Sequence, residues 1–433
     1  MLAPVVNPAG PGQTAVLDLL NLLALIGFAL GQRRKARPVT LPLLLPLLLI
    51  AAGSLLATAG AASLGATGLT LAQDLYLYLW FVMLVSLMHE RGDLKALRVA
   101  WFWTASGVAL VGLIGLPRAG LTELSGLAGP RAAATLYNPN MCADYLVLSV
   151  FNALSLADQV RARWRGLSLG LLLVALMATK SNGGWVCLGL GLAVWAILRI
   201  AAGGAAAPRI AGLIAVVLAT ALVAGWSLWE GRSGEAWARR MVARTYLVRI
   251  EHSSDTREAI WRGLVSDLRR SPLGIGPGNS AARELAIGER LRPDSFRAKE
   301  AHSDYLAYAA ERGPLGLAGL LLATAAVFVR VWRGGAALTR RSGSARRAAA
   351  IRAALLGALV ATTVHSLVIE KLHFRHAWLF LAMAWTLTGA PDQPWRVVAS
   401  RNGLGHAGRG TRWRGEGEPA ARPAARLVTG TGA

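Results

Sequence analysis

Apolar runs long enough to cross a hydrocarbon core of about 30 Å recur along this chain and leave it few architectures to adopt. About eleven can be read, centred near residues 22, 50, 80, 106, 149, 172, 192, 219, 322, 359 and 382. Inside lipid every backbone N–H and C=O must find a partner within the protein, and a continuous apolar run of this length does so as a helix. The expected fold is all-α, a polytopic transmembrane helical bundle of about 11–12 spans. Composition agrees: of 433 residues 54% are hydrophobic and 16% charged, and the mean hydropathy is +0.45, too apolar for an ordinary soluble protein.

A net charge of +23 would suggest a nucleic-acid partner in a soluble chain, but its placement points elsewhere. Basic stretches GQRRKAR (31–37), HERGDLKALR (89–98), DQVRARWR (158–165), LRIAAGGAAAPR (198–209) and RVWRGGAALTRRSGSARRAAAIR (330–352) fall after every second span. The positive-inside rule puts them on the cytoplasmic side, with the N-terminus outside and the C-terminus inside. The segments near 61–70, 117–140, 181–184, 230–312 and 369–375 then face outward. No nucleic-acid partner is expected; membrane lipids are. Cys142 and Cys187 lie in or beside apolar spans and read as small core residues. The first apolar run is followed by a basic stretch and another span, so it reads as a span and not as a cleavable signal peptide.

Residues 1–390 read as one transmembrane domain, and 391–433, rich in Gly, Arg, Pro and Ala, as a disordered basic cytoplasmic tail that cannot bury enough apolar surface to offset its chain entropy. The domain is interrupted by one long polar loop, 230–312, partly helical and outward-facing, which adds little to a lipid-embedded core and therefore calls for a function. It holds, in order, EHSSDTREAIWRGLV, SPLGIGPGN and EAHSDYLAYAAERGPLG. Ser253, Ser254 and Asp255 are expected to cap a helix with Ile260, Trp261, Leu264 and Leu268 as its apolar stripe. Arg257 and Trp261, four apart, share a face. Gly274, Gly276 and Gly278 mark a turn, since no strand precedes them and no GK[ST] follows as a phosphate-binding loop would need. His302 leads straight into the span at Pro314 and should lie near the outer membrane surface.

These pieces resemble the O-antigen ligase and polymerase family of membrane glycosyltransferases. The residues that carry the resemblance are Asn138-Pro139-Asn140 before an apolar span, the TKS-GG turn at 179–184, Arg257 with Trp261, PLGIGPGN at 272–279, and His302 through Gly313. It spans about residues 70–390 and is most specific in the loop. The resemblance implies a bacterial inner-membrane enzyme that works on the periplasmic face without metal or cofactor. Its donor is a glycan on a polyprenyl (undecaprenyl) pyrophosphate, and its acceptor a hydroxyl such as that of lipid A-core. Carried over, His302 is the general base and Arg257 the loop arginine. The chemistry agrees, because histidine titrates near neutrality and can accept the acceptor's proton, and a guanidinium fork suits phosphate oxygens.

Where the family turn reads S-R-G-G, this chain has Ser181-Asn182-Gly183-Gly184. Lys180 is a substitute point charge, and Arg118, Arg131, Arg249 and Arg262 are further candidates to reach the diphosphate. Lys180, Asn182, Arg249, Trp261, Arg262 and Tyr305 are the expected substrate-binding set. Glu300, Asp304 and Glu311 flank the histidine motif and could orient His302 or pair with loop arginines. Arg257 could instead pair with Asp255 or Glu258, and Trp261 could be core packing. Asp74 and Asp144 lie near outward ends of spans, where an intramembrane carboxylate is a functional candidate by default, though so shallow a placement favours simple solvation. His373 and His376, with His365 and Glu370 nearby, have the spacing to share a helical face, though a metal site is not expected there. Two other readings remain open: a polymerase with a second lipid-linked glycan as acceptor, and a transporter with the loop as lid.

Overall fold

A computed structural model describes residues 16–35, 39–91, 94–115, 131–136, 138–202, 248–280, 301–389 and 396–397. Among them lie twelve α-helices: α1 Val16–Lys35, α2 Leu44–Ala57, α3 Leu64–Arg91, α4 Leu94–Gly115, α5 Pro139–Ser155, α6 Ala162–Thr179, α7 Asn182–Ala201, α8 Val248–Arg270, α9 Asp304–Arg333, α10 Gly335–Ser342, α11 Ala345–His365 and α12 Arg375–Thr388. The only strands among the described residues are a two-residue antiparallel pair, β1 Val39–Thr40 with β2 Arg396–Val397. The all-α bundle expected from the apolar runs is what forms.

Ten of the apolar runs become helices; the run centred near 219 lies outside the described residues. Among the described residues, α3, α4, α6, α7, α9 and α11 are long and apolar enough to cross a membrane by themselves. The shorter members have a physical reason. Helix α5 buries Asp144 through Ala153 almost without interruption, so neighbouring helices and not lipid surround it. The 14 residues of α12 are likewise largely buried. By contrast Leu55, Leu64, Leu167 and Ile197 expose 64–69% of their surface, an apolar exterior that suits lipid.

Small residues set a close helix crossing. A Cβ on Gly191 would stand 2.5 Å from the Gly357 carbonyl oxygen, and one on Gly357 would stand 2.6 Å from that of Gly191. Helices α7 and α11 therefore meet backbone to backbone, the arrangement favoured where dispersion must replace the hydrophobic drive. In the α4–α5 contact, Trp101 stacks on Tyr145 at 5.7 Å, and its indole N–H donates to Ser149 Oγ at 2.8 Å. Cys142 and Cys187 are free and buried, as small core residues.

The helix ends sort into two groups. At one, Arg347 pairs with Asp158 at 3.0 Å, Arg98 donates to the Ser155 carbonyl at 2.8 Å, and Arg330 to that of Trp385 at 2.9 Å. Parts of three segments expected to be cytoplasmic, 89–98, 158–165 and 330–352, thus make their contacts at this end. The described parts of the segments expected to face outward meet at the other end, set out below. Arg396–Val397, which composition assigns to the tail, pair with β1. By contacts the chain divides at Val397, and residues 398–433 lie outside the described ones, as do 203–247 and 281–300 of the membrane domain and loop.

Candidate active site

The site is built where α9 begins. Ser303 caps the helix, its hydroxyl accepting from the Leu306 N–H at 3.4 Å. Nearly three turns later the sequence Gly313-Pro314 interrupts it. Proline has no N–H, which leaves the Ala310 carbonyl without its helical donor, and Gly313 takes φ 64°, ψ −166°, a conformation essentially reserved for glycine. The freed carbonyls are used by the loop: Ile275 N–H donates to Ala310 O at 2.9 Å, and Gly276 N–H to Glu311 O at 3.0 Å. The Glu311 carboxylate accepts the Gly278 N–H at 2.9 Å, the Ser280 N–H at 3.2 Å and the Ser280 hydroxyl. The SPLGIGPGN segment is a turn, with Gly274, Gly276 and Gly278 all at positive φ, locked to the break in α9. Asn279 extends the lock to the 58–67 region, accepting the Ser63 N–H at 2.8 Å and donating to Thr67 Oγ1 at 2.9 Å.

Next to Glu311, Arg312 is buried. It pairs with Asp74 at 2.8 Å, donates to Ser54 Oγ at 3.2 Å and stacks over Tyr308 at 4.4 Å. Asp74 thus compensates a buried guanidinium and is not a merely solvated carboxylate.

Helix α8 lies against this assembly. It is helical from the first described residue, Val248, so Ser253, Ser254 and Asp255 do not cap it but lie within it. The expected cap is overridden because the helix is held by packing further along: Ile260 and Leu264 cluster with Ala301, Ala307 and Ala310 of the α9 start, flanked by Trp261 and Leu306. Trp261 N–H donates to the Ala301 carbonyl at 3.0 Å. Arg257, one turn before Trp261, is half-buried, and burial pushes its guanidinium below the usual arginine range. The charge itself persists, since arginine does not deprotonate in proteins. Glu258 pairs not with Arg257 but with Arg262, and both are exposed. Arg262 is therefore not drawn into the group, whereas Trp261 is packed and hydrogen-bonded. The side chain of Arg249 lies outside the described residues, as do Arg118 and Glu300.

His302 follows Ala301, with φ 54°, in the left-handed region. A β-carbon residue there costs of the order of 1–3 kcal/mol and persists only where its surroundings hold it. They do so from both sides. Ala301 N–H donates to Glu370 at 2.9 Å while its carbonyl accepts from Trp261. Asp304 N–H donates to the Ser366 carbonyl at 2.9 Å, and Asp304 Oδ1 accepts the Lys371 and Leu372 N–H groups at 2.9 and 3.2 Å. Asp304 is thus committed to backbone amides of the 366–374 turn. Tyr305 donates its hydroxyl to the Thr363 carbonyl at 3.1 Å.

At that turn His365 and His376, grouped by the sequence, meet two groups the sequence did not join to them, Asp144 and Lys371. Asp144 is 1% exposed, not solvated, and meets His365 Nδ1 at 2.9 Å, His376 Nε2 at 2.9 Å and Lys371 Nζ at 3.2 Å. Lys371 also reaches the carbonyl and hydroxyl of Thr362. His373 precedes α12 and His376 sits in its first turn, so the pair does not share a helical face. Among the described residues no group of three or more His, Cys, Asp or Glu is arranged to hold a metal. The one signal available beforehand was the presence of two histidines and a lysine within twelve residues, opposite an aspartate in an apolar run.

The Asn182 turn closes on the same cluster. Ser181 caps α7, and a Cβ on Gly183 would stand 3.4 Å from His365 Nε2 and 3.1 Å from Val368. Lys180, left-handed at φ 51°, ends α6, and both Lys180 and Asn182 are half-buried. Arg131 is used there structurally: it donates to Thr179 O at 2.8 Å and to Asn140 Oδ1 at 2.9 Å. Asn138 in turn caps α5, with Pro139 as its first residue. Segments from 58–67, 131–140, 179–184, 257–280, 301–312 and 365–376 thus converge at one end of the bundle, and with them His302, Arg257, Trp261, Tyr305, Lys180 and Asn182.

A cavity of about 1020 Å³, open space included, runs from this end into the bundle. Its upper wall is polar, with Asp74, Tyr305, Tyr308, Ser366 and Lys371; its length between α2, α9, α11 and α12 is apolar, with Leu43, Leu47, Ile50, Leu320 and Val327.

Residues 167–321, from α6 to the middle of α9, match the family model described as O-antigen ligase. No curated protein matches the chain. The match supports a glycosyl-transferring enzyme of glycan assembly, and the six apolar helices make it multi-pass.

Proposed function

Taking the O-antigen ligase domain at residues 167–321 as premise, we propose that this protein moves a glycan from a polyprenyl pyrophosphate to an acceptor hydroxyl, such as that of lipid A-core, at the periplasmic face of the inner membrane. The observation that carries this reading is the cavity: polar beside Tyr305 and Lys371, apolar down to Leu43 and Val327. A ligand with a charged head and an isoprenoid tail matches that gradient, and its head would lie at the end where His302 and Arg257 sit.

In this reading His302 takes the proton of the acceptor hydroxyl as its oxygen attacks the anomeric carbon, and the bond from that carbon to the phosphate oxygen breaks. The diphosphate leaves with an added negative charge, which Arg257 meets. Lys180 and the N-terminal amides of α7 add positive potential where the family arginine is replaced by Asn182. Charge stabilisation by arginine, without a metal or cofactor, is what the resemblance implies. Trp261 supports His302 through Ala301 more directly than it could support a sugar.

In proteoliposomes with lipid-linked glycan and acceptor, His302→Ala should lower the transfer rate by about 10²–10⁴. Transfer at the wild-type rate in that variant refutes the assignment. Product size tests the alternative: one block on the acceptor indicates a ligase, a ladder of lengthening glycan a polymerase.

A further inference from the structure

We propose that Asp144 is a positioning residue for His302, acting through the 366–374 turn. This rests on the reading of His302 as the base. Asp144 does not reach the site itself; it is 1% exposed and inside α5. What it does is hold the turn at three points, through His365 at its start, Lys371 within it and His376 at its end. A buried carboxylate in contact with an ammonium cannot lose either partner cheaply, so these three contacts stand or fall together.

The turn in turn holds the residues on both sides of His302. Glu370, adjacent to Lys371, accepts the Ala301 N–H at 2.9 Å, and Ser366 O accepts the Asp304 N–H at 2.9 Å. Lys371 and Leu372 N–H groups donate to Asp304. His302 sits between these anchors with left-handed backbone, a conformation it would leave if they moved. The aim of the imidazole therefore depends on a charge set in another helix.

Asp144→Asn, in the full chain in proteoliposomes, should lower kcat by on the order of 10²-fold with KM for the lipid-linked donor changed by no more than about twofold. Added to His302→Ala, it should lower the residual rate no further. Glu370→Gln keeps an oxygen for the Ala301 N–H, so it should recover most of the turnover that Glu370→Ala loses. That pair, read on a half-buried residue, decides the outcome if Asp144→Asn fails to fold. Wild-type kcat in Asp144→Asn, losses that multiply with His302→Ala, or Glu370→Gln as poor as Glu370→Ala would each overturn the proposal. Wild-type transfer by His302→Ala would remove the base and the positioning together; an inactive His302→Ala beside a fully active Asp144→Asn would remove the positioning alone.

Discussion

Gly313 is a residue whose backbone admits no side chain. Its φ of 64° and ψ of −166° exclude a side chain, and a Cβ would lie 2.6 Å from the Leu273 carbonyl oxygen. Gly313→Ala should therefore cost at least about 1–3 kcal/mol and release the Leu273–Asn279 turn from Glu311. A lowered midpoint in thermal unfolding in detergent checks it; an unchanged midpoint would show that the turn does not depend on this break. His302 and Arg257 stand out by their motif, whereas the buried partners of Asp144 do not. An aspartate in an apolar run looks the same whether it lies at a wetted helix end or beside a buried lysine 227 positions later.

Helices show how packing overrides local signals. Ser253, Ser254 and Asp255 are good caps by residue type, yet α8 runs through them because Ile260, Trp261 and Leu264 anchor it on the start of α9. Gly-Pro at 313–314 shows the opposite case, in which local chemistry wins and the resulting break is put to use by Ile275 and Gly276. At the α7–α11 crossing, Gly357→Leu should separate the helices, since even a methyl group meets the Gly191 carbonyl at 2.6 Å. Because Gly183 of α7 lies so near His365 that an added Cβ would stand 3.4 Å from its ring, the same change should reduce transfer as well as the melting midpoint. Transfer at the wild-type level with a lowered midpoint would show that the crossing serves stability alone.

For the whole molecule, the two collections of helix ends give the topology its test. Arg262 is exposed beside the candidate site and Arg346 is exposed near the Arg347–Asp158 pair, while the native cysteines are buried. In intact cells a membrane-impermeant maleimide should label Arg262→Cys, and should label Arg346→Cys only after permeabilisation. The reverse pattern would place the site on the cytoplasmic side and remove the periplasmic reading. The expectation rests on the alternation of basic stretches, since arginine density after alternate spans is a one-dimensional property.

What the sequence determined by itself was what depends on neighbours along the chain. That includes the helical class from continuous apolar runs, the two-ended charge pattern, the glycine turn at 274–278 and the histidine before α9. Tertiary structure alone decided which groups meet across long separations: Asp144 with His365, Lys371 and His376, Arg312 with Asp74, and Glu370 with Ala301. The reason is the cost of burial. A charged group can leave water only where a partner awaits it, and that partner is supplied by how the helices pack, which no local spacing records.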